Sequence, residues 1–158
     1  MNKDEKKYLL KQFSHDVFIL ASRDKEKFCA STVTWVSQAS FDPPLLSVCI
    51  KRKSQSFHII QNRGAFILHC LDQKQKDIAA DFFRPTVKEK DCLNNHTFKF
   101  STSNLPILTE PPAYFECKVV GMLDKGDHPI FLAEITNVNI DREFKIMNLN
   151  STEWSYGG

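Results

Sequence analysis

Short apolar blocks alternate with polar, turn-forming clusters along the whole chain, and the period inside each block separates strand from helix. Residues 17–22 (V-F-I-L-A-S), 28–36, 45–51 and 65–71 are apolar or β-branched runs of strand length, bounded by charged or Pro/Gly clusters. The runs 17–21 and 65–68 hardly alternate, so they need apolar cover on both faces, from the chain itself or from a second copy. Residues 114–122 do alternate, with Phe115, Cys117 and Val119 on one face. After the turn Asp124-Lys125-Gly126-Asp127 comes the run 130–140, in which Phe131, Ala133 and Ile135 share one parity and Val138 and Ile140 take the other. That change of parity predicts a β-bulge near Thr136 or Asn137. Residues 97–102 and 105–108 add shorter, edge-type pieces.

Helical spacing occurs in three places. Residues 3–13 carry Tyr8, Leu9 and Phe13 on one side, as in a short amphipathic helix that packs on the sheet or on a partner subunit. Ser54 is a natural N-cap for a helix turning Phe57 and Ile60 inward, and Gly64 stands where such a helix ends. Asp72 is expected to cap a helix over 73–83, with Ile78, Ala79, Phe82 and Phe83 at helical intervals; Pro85 ends it, and the charged residues 84–95 read as a mobile surface loop. Several strands, few helices and no βαβ rhythm predict a mainly β fold, an antiparallel closed barrel formed by a single domain over residues 1–158.

Composition narrows the function. With 21 basic against 19 acidic residues, the net charge of +2 is too small to argue for nucleic acid as a partner. No apolar run approaches the roughly 18 residues of a membrane span, and the charged start lacks a signal peptide's apolar stretch, so a cytoplasmic protein with no membrane association is expected. The five cysteines, at 29, 49, 70, 92 and 117, form no C-x-x-C pair and sit mostly in apolar runs, which favours reduced, buried thiols over a metal site. There is no nucleophile elbow, no paired-carboxylate motif and no G-x-G-x-x-G.

The candidate chemistry lies between Cys29 and His58. Lys51, Arg52 and Lys53 precede Ser54 and Ser56 at the expected helix start, where free N–H groups, hydroxyls and cations make an anion site. Thr34, Ser37, Gln38 and Ser40 form a polar run after a β block; its backbone is read as a loop whose free N–H and C=O groups suit the edge of a heterocycle. Further on, His128 sits in a G-D-H-P turn, and Trp154 and Tyr156 end the chain with Gly157-Gly158, an arrangement that puts two large aromatics where a surface is needed to cover them.

Four stretches in order, T-x-x-W-V-S-Q-A-S-F-D-P-P-L-L-S-V-C-I, K-x-x-S-x-S-x-x-I, G-D-H-P-I-F-L-A-E-I and W-x-Y-G-G, resemble the flavin reductase-like family of FMN-binding split barrels. The resemblance runs from about Phe13 to Gly158 and extends to the flavin reductase domains of diflavin flavoproteins. One departure is His15-Asp16, where the family usually has a Gly before the first strand. The resemblance implies a split barrel binding FMN, with FAD left open. It places the phosphate on Lys51, Ser54 and Ser56, and the isoalloxazine against Thr34, Trp35, Val36, Ser37 and Ser40. It puts His128 and Tyr156 on the side where NAD(P)H docks, His128 as the catalytic group. Hydride would pass from nicotinamide to flavin, and electrons on to free flavin, oxygen, ferric complexes or a partner monooxygenase; the alternative is an FMN-binding electron-transfer module reduced by a partner redox protein. A homodimer with the flavin near its interface is also implied.

Overall fold

The computed structural model describes residues 1–156. Eleven strands and three helices follow one another as α1 (Lys3–Leu10), β1 (Phe18–Asp24), β2 (Lys27–Val33), β3 (Val36–Ser40), β4 (Leu45–Cys49), α2 (Gln55–Arg63), β5 (Ala65–Cys70), α3 (Lys76–Asp81), β6 (Lys88–Glu89), β7 (Cys92–Leu93), β8 (His96–Phe100), β9 (Pro106–Leu108), β10 (Ala113–Leu123) and β11 (Ile130–Ile140). All ladders are antiparallel. The strands make a seven-stranded sheet ordered β2-β1-β5-β10-β11-β4-β3 and a four-stranded sheet ordered β6-β7-β8-β9.

The order of the large sheet dictates its shape. Its two edge strands, β2 and β3, are consecutive in sequence and joined by Thr34 and Trp35 alone. In a flat sheet, six ladder steps of about 4.8 Å would separate those edges by roughly 29 Å, whereas a two-residue link spans only about 10 Å. The sheet must therefore roll until its edges meet. Inside the roll, Leu20, Val48, Phe57, Ile60, Phe66, Leu68, Phe131 and Ala133 form one core. No ladder joins β2 to β3 among the described residues, so the expected closed barrel is found as a mainly β, antiparallel sheet that is rolled but left open at one seam.

The non-alternating strands find their cover within the chain. Ile19 and Ala21 face a second core with Ala79, Phe82, Leu93 and Met147, while Leu20 faces the first; Ile67 packs on Leu105 and Ile107. The predicted bulge is present: Glu116 pairs with Asn137 and Cys117 with Ile135, leaving Thr136 as the extra residue, with its hydroxyl donating to the Glu116 carbonyl at 3.0 Å. A second register shift leaves out Val120.

Three local expectations are corrected. The polar run after Trp35 is not a loop but β3, an edge strand whose exposed outer surface explains its serines and glutamine. The third helix is shorter than 73–83 and Asp72 does not cap it; the Asp72 carboxylate instead accepts from the N–H groups of Lys74 (3.0 Å) and Lys145 (3.1 Å), tying a turn to the C-terminal segment. Residues 84–95 are not a free loop, because they hold the hairpin β6-β7 and the buried Asn94. Helix α1, capped by Asn2, buries no residue.

His69, on β5, links the two sheets. It is fully buried, hydrogen-bonded through Nδ1 to the Ile19 carbonyl at 3.0 Å and accepting at Nε2 from the Leu108 N–H at 2.9 Å. The Leu108 donor fixes the tautomer: Nδ1 carries the proton and donates to Ile19. Burial pulls this imidazole from its ordinary 6.5 down to about 4, the Ile19 hydrogen bond opposing part of the shift. The unfolded chain thus takes up a proton as pH falls below 6.5 while the folded chain does not until about 4, so stability is complete above 6.5 and declines between the two. In urea titrations at pH 7 and pH 4.5, a His69→Gln variant should lose less stability on acidification than wild type, by on the order of 2 to 3 kcal/mol; equal losses would show that His69 is not the titrating group.

Candidate functional site

The seam between β2 and β3 opens into a cavity of about 820 Å³, within the roughly 300–1,000 Å³ of small-molecule sites. Its walls come from the end of β2, the Thr34-Trp35 link, the residues after β4, the start of α2, the segment after α3, the β10–β11 turn and the C-terminal tail.

One corner is built for an anion. Ser54 caps α2, its Oγ accepting from the Phe57 N–H at 3.2 Å, and the first turn of α2 has no acidic residue. Its hydroxyl proton remains free to donate. Ser56, almost fully buried, shares a 2.6 Å hydrogen bond with the Ser31 hydroxyl. Lys51 and Lys53 stand beside this helix start and Arg84 lines another wall, while no Asp or Glu is among the lining residues. Helix N–H groups, a free hydroxyl and cations without a carboxylate favour a negatively charged ligand group.

The remaining walls are flat, apolar or unsatisfied. Thr34 is 8% exposed and its Oγ1 has no hydrogen-bond partner, although it borders the cavity. A buried hydroxyl left this way costs roughly 1–3 kcal/mol unless a ligand or water supplies the partner. Trp35 packs against His128 (ring centroids 4.8 Å apart) and Tyr156 (5.4 Å), and the Tyr156 hydroxyl is hydrogen-bonded to His128 Nε2 at 2.6 Å. Burial, and secondarily the Asp127 carboxylate, push the Tyr156 hydroxyl up, so it keeps its proton. His128 Nδ1 lies 3.2 Å from Asp127 Oδ1, near enough to hold that carboxyl below its usual range, but without the alignment of a full hydrogen bond. Across the mouth, Trp154 packs edge-on to Phe83 at 4.8 Å, and Lys76 pairs with Glu153. The tail therefore bridges the segment after α3 and the β10–β11 turn.

Thr34, Trp35, Lys51, Ser54, Ser56, His128 and Tyr156 all border this cavity, although the sequence scatters them over more than 120 positions. Val36, Ser37 and Ser40 do not: Val36 packs into the core of the roll, and the other two lie on the solvent-facing edge strand. Gly157 and Gly158 lie outside the described residues. Sequence reasoning missed residues 82–86. Thr86 closes the β2 edge, its Oγ1 accepting from the Ala30 N–H (2.8 Å) and donating to the Ala30 carbonyl (3.0 Å), which brings Arg84 and Pro85 to the cavity. Only the pairing of Phe82-Phe83 with a following Arg hinted at this, and a distant strand partner has no local signal. The Cys49 thiol at the wall is pushed up by burial and behaves as a small hydrophobe. All five cysteines are free.

Residues 10–152 match the family model described as "Flavin reductase like domain". The chain belongs to this family. A "probable flavin reductase" of Rhizobium meliloti (strain 1021) is 28% identical over 140 residues, 89% of this chain and 42% of the relative. From the same organism, "Stachydrine N-demethylase reductase subunit Stc3" is 28% identical over 131 residues, 83% of this chain and 52% of that protein. The chain thus spans about half, or less, of the length of these relatives. Among solved structures, the Streptomyces globisporus C-1027 NADH:FAD oxidoreductase SgcE6, in complex with NAD and FAD fragments, superposes with a TM-score of 0.79 at 19% identity, covering 92% of this chain and 87% of that one. At that identity the likeness is one of fold.

The two roles of Ser54 can be separated. Aspartate is as good an N-cap as serine, but its charge opposes an anion at the helix start. Ser54→Asp should keep the urea midpoint close to wild type while raising the Kd for FMN at least tenfold; Ser54→Ala should cost about 1 kcal/mol of stability. FMN binding unchanged in Ser54→Asp would remove the anion from this corner.

Proposed function

We propose that this family member binds FMN in the seam cavity and acts as an NAD(P)H:flavin oxidoreductase. The observation that carries the reading is the carboxylate-free cationic corner at the start of α2, opening onto a cavity walled by aromatics and by Thr34, whose hydroxyl has no partner within the chain. These features fit the phosphate, the flat ring and the polar ring edge of a flavin nucleotide. FAD shares the phosphoribityl half, so the same residues serve either flavin and titration separates them. The rolled sheet is read as the family's split barrel, its split being the seam where the ladder stops.

When bound, FMN supplies the hydride-accepting chemistry. Lys51, Lys53 and Ser54 hold the phosphate, with Ser56 fixed behind them by Ser31. At the link, Thr34 would supply the polar contact to the ring edge, and Trp35 would cover a flank. His128 and Tyr156 exclude water from the docking side. There the imidazole can exchange its Tyr156 partner for the nicotinamide amide and stabilise charge as it develops. The acceptor would be a second flavin, oxygen, a ferric complex or a partner oxygenase component; a relative named as the reductase subunit of a flavin-dependent monooxygenase supports the last of these.

The chain is read as one such domain, acting in the cytoplasm. Among the described residues no helix is long and apolar enough to cross a membrane, which leaves other membrane-crossing modes aside. A homodimer is proposed from exposed apolar side chains: Tyr8, Leu9 and Phe13 in and just after α1, Val138 and Ile140 towards one end of the long hairpin, and Val120 and Leu123 towards the other. The non-alternating strands no longer argue for it, since their cover is internal. Light scattering at micromolar concentration should report a dimer, and Ile140→Asp should shift it towards monomer; a wild-type monomer would refute the assembly.

Rapid mixing of FMN-loaded protein with NADH and NADPH tests the reaction itself. Reduction by at least one nucleotide is expected, with His128→Ala slower by roughly ten- to hundredfold, about 1.4–2.7 kcal/mol of barrier, and FMN still bound. Failure of both nucleotides with FMN retained would favour a module reduced by a partner protein.

A further inference from the structure

Outside the cavity, one half-buried imidazole is clamped by two carboxylates. His96, on β8, places Nδ1 2.7 Å from Glu110 Oε2 and Nε2 3.0 Å from Asp81 Oδ2, with its side chain only 13% exposed. Its ring stacks on Phe82, centroids 5.3 Å apart, and Phe82 borders the cavity. The other oxygen of Asp81, Oδ1, accepts from Arg84 Nη2 at 3.2 Å, and the Asp81 carbonyl accepts from Arg84 Nε at 3.3 Å and from Asn94 Nδ2 at 2.9 Å. Asn94 in turn accepts at Oδ1 from the Val87 N–H at 2.7 Å. Arg84 therefore stands at the cavity wall on a chain of contacts running back through Asp81 and His96 to Glu110. Two of its five N–H donors face Asp81, and the rest of the fork stays available.

We propose that Arg84 binds a phosphate of the nucleotide held in the seam cavity, and that Asp81 and His96 are positioning residues which hold its guanidinium there. The inference rests on the flavin reading above and adds a second anion subsite to the cavity, apart in sequence from the start of α2. A mobile arginine loses much of its binding advantage to side-chain entropy, whereas one anchored by two hydrogen bonds presents its remaining donors already ordered. His96 fixes the Asp81 carboxylate by occupying one oxygen, which leaves the other aimed at Arg84. Glu110 completes the chain by holding the far side of the ring, and its own carbonyl is fixed by Gln75 and Arg142, each at 2.8 Å.

The sign of one substitution separates positioning from simple charge. Asp81 lies close to an anion site, so as a bare negative charge it weakens ligand binding, and Asp81→Ala would tighten it. As the anchor of Arg84 it strengthens binding, and the same change weakens it. Two titrations separate the phosphate source: FMN into the wild-type chain, and NADP⁺ into the FMN-loaded chain. Arg84→Gln should raise at least one of these Kd values about tenfold or more. Asp81→Ala and His96→Leu should raise the same one, and neither should weaken it further in the Arg84→Gln background. Asp81 is a partly exposed position at the helix end, so its alanine variant tests the point even where His96→Leu folds poorly. Unchanged values in Arg84→Gln, tighter binding in Asp81→Ala, or additive losses in the double variants would each overturn the proposal. A wild-type chain taking up neither ligand would overturn the flavin reading with it, whereas normal FMN uptake with neutral variants would overturn the subsite alone.

Discussion

Two residues set the architecture. Because Thr34 and Trp35 alone connect strands at opposite edges of a seven-stranded sheet, the sheet has to roll, and its inward faces have to meet in a common core. The same link keeps the roll from sealing. A strand that leaves one edge to join the other cannot pair with itself at the crossing; the Trp35 carbonyl there accepts from the Cys49 N–H at 3.0 Å, while the Thr34 hydroxyl is left without a partner. The cavity lies at this crossing, and the unpartnered Thr34 hydroxyl belongs to the link itself. Fold and site thus follow from one connection.

Charge around the cavity is arranged in two tiers. Lysines 51 and 53 and Arg84 line it directly, while two carboxylates, Asp81 and Asp127, stand one step back with a histidine each as neighbour. An unpaired carboxylate at such a wall would cancel much of the attraction for an anion. Asp81 instead orients a group that does reach the cavity, Arg84, and Asp127 stands 3.2 Å from the His128 imidazole.

Much of this could be read from the sequence where local physics decides. Ser54 and Gly64 bracket α2 because capping chemistry acts within a turn, and the parity change in β11 located its bulge at Thr136 because side chains alternate with a strict period. The site residues drawn from family resemblance fell into the cavity where they flank the link, the helix start, the turn and the tail. Val36, Ser37 and Ser40 did not, because a polar run looks alike whether it is a loop or the solvent side of an edge strand. His69 and His96 sit within ordinary strand patterns, and their roles depend on partners 14 to 50 positions away, which no window along the chain can reveal. The segment carrying Arg84 was obscured in the same way, by contacts with Ala30.

A sheet that stops short of closing has two free edges, and free edges are templates for pairing with another molecule. Here one edge is finished by a single side chain. The Thr86 hydroxyl meets both the N–H and the C=O of Ala30, and the Phe82 carbonyl takes the Thr32 N–H at 3.3 Å, so the outer rim of β2 is occupied without a strand being there. At the other rim, β3 is short and presents Ser37, Gln38 and Ser40 to water. An opening wide enough for a ligand is thereby kept from acting as a seed for aggregation.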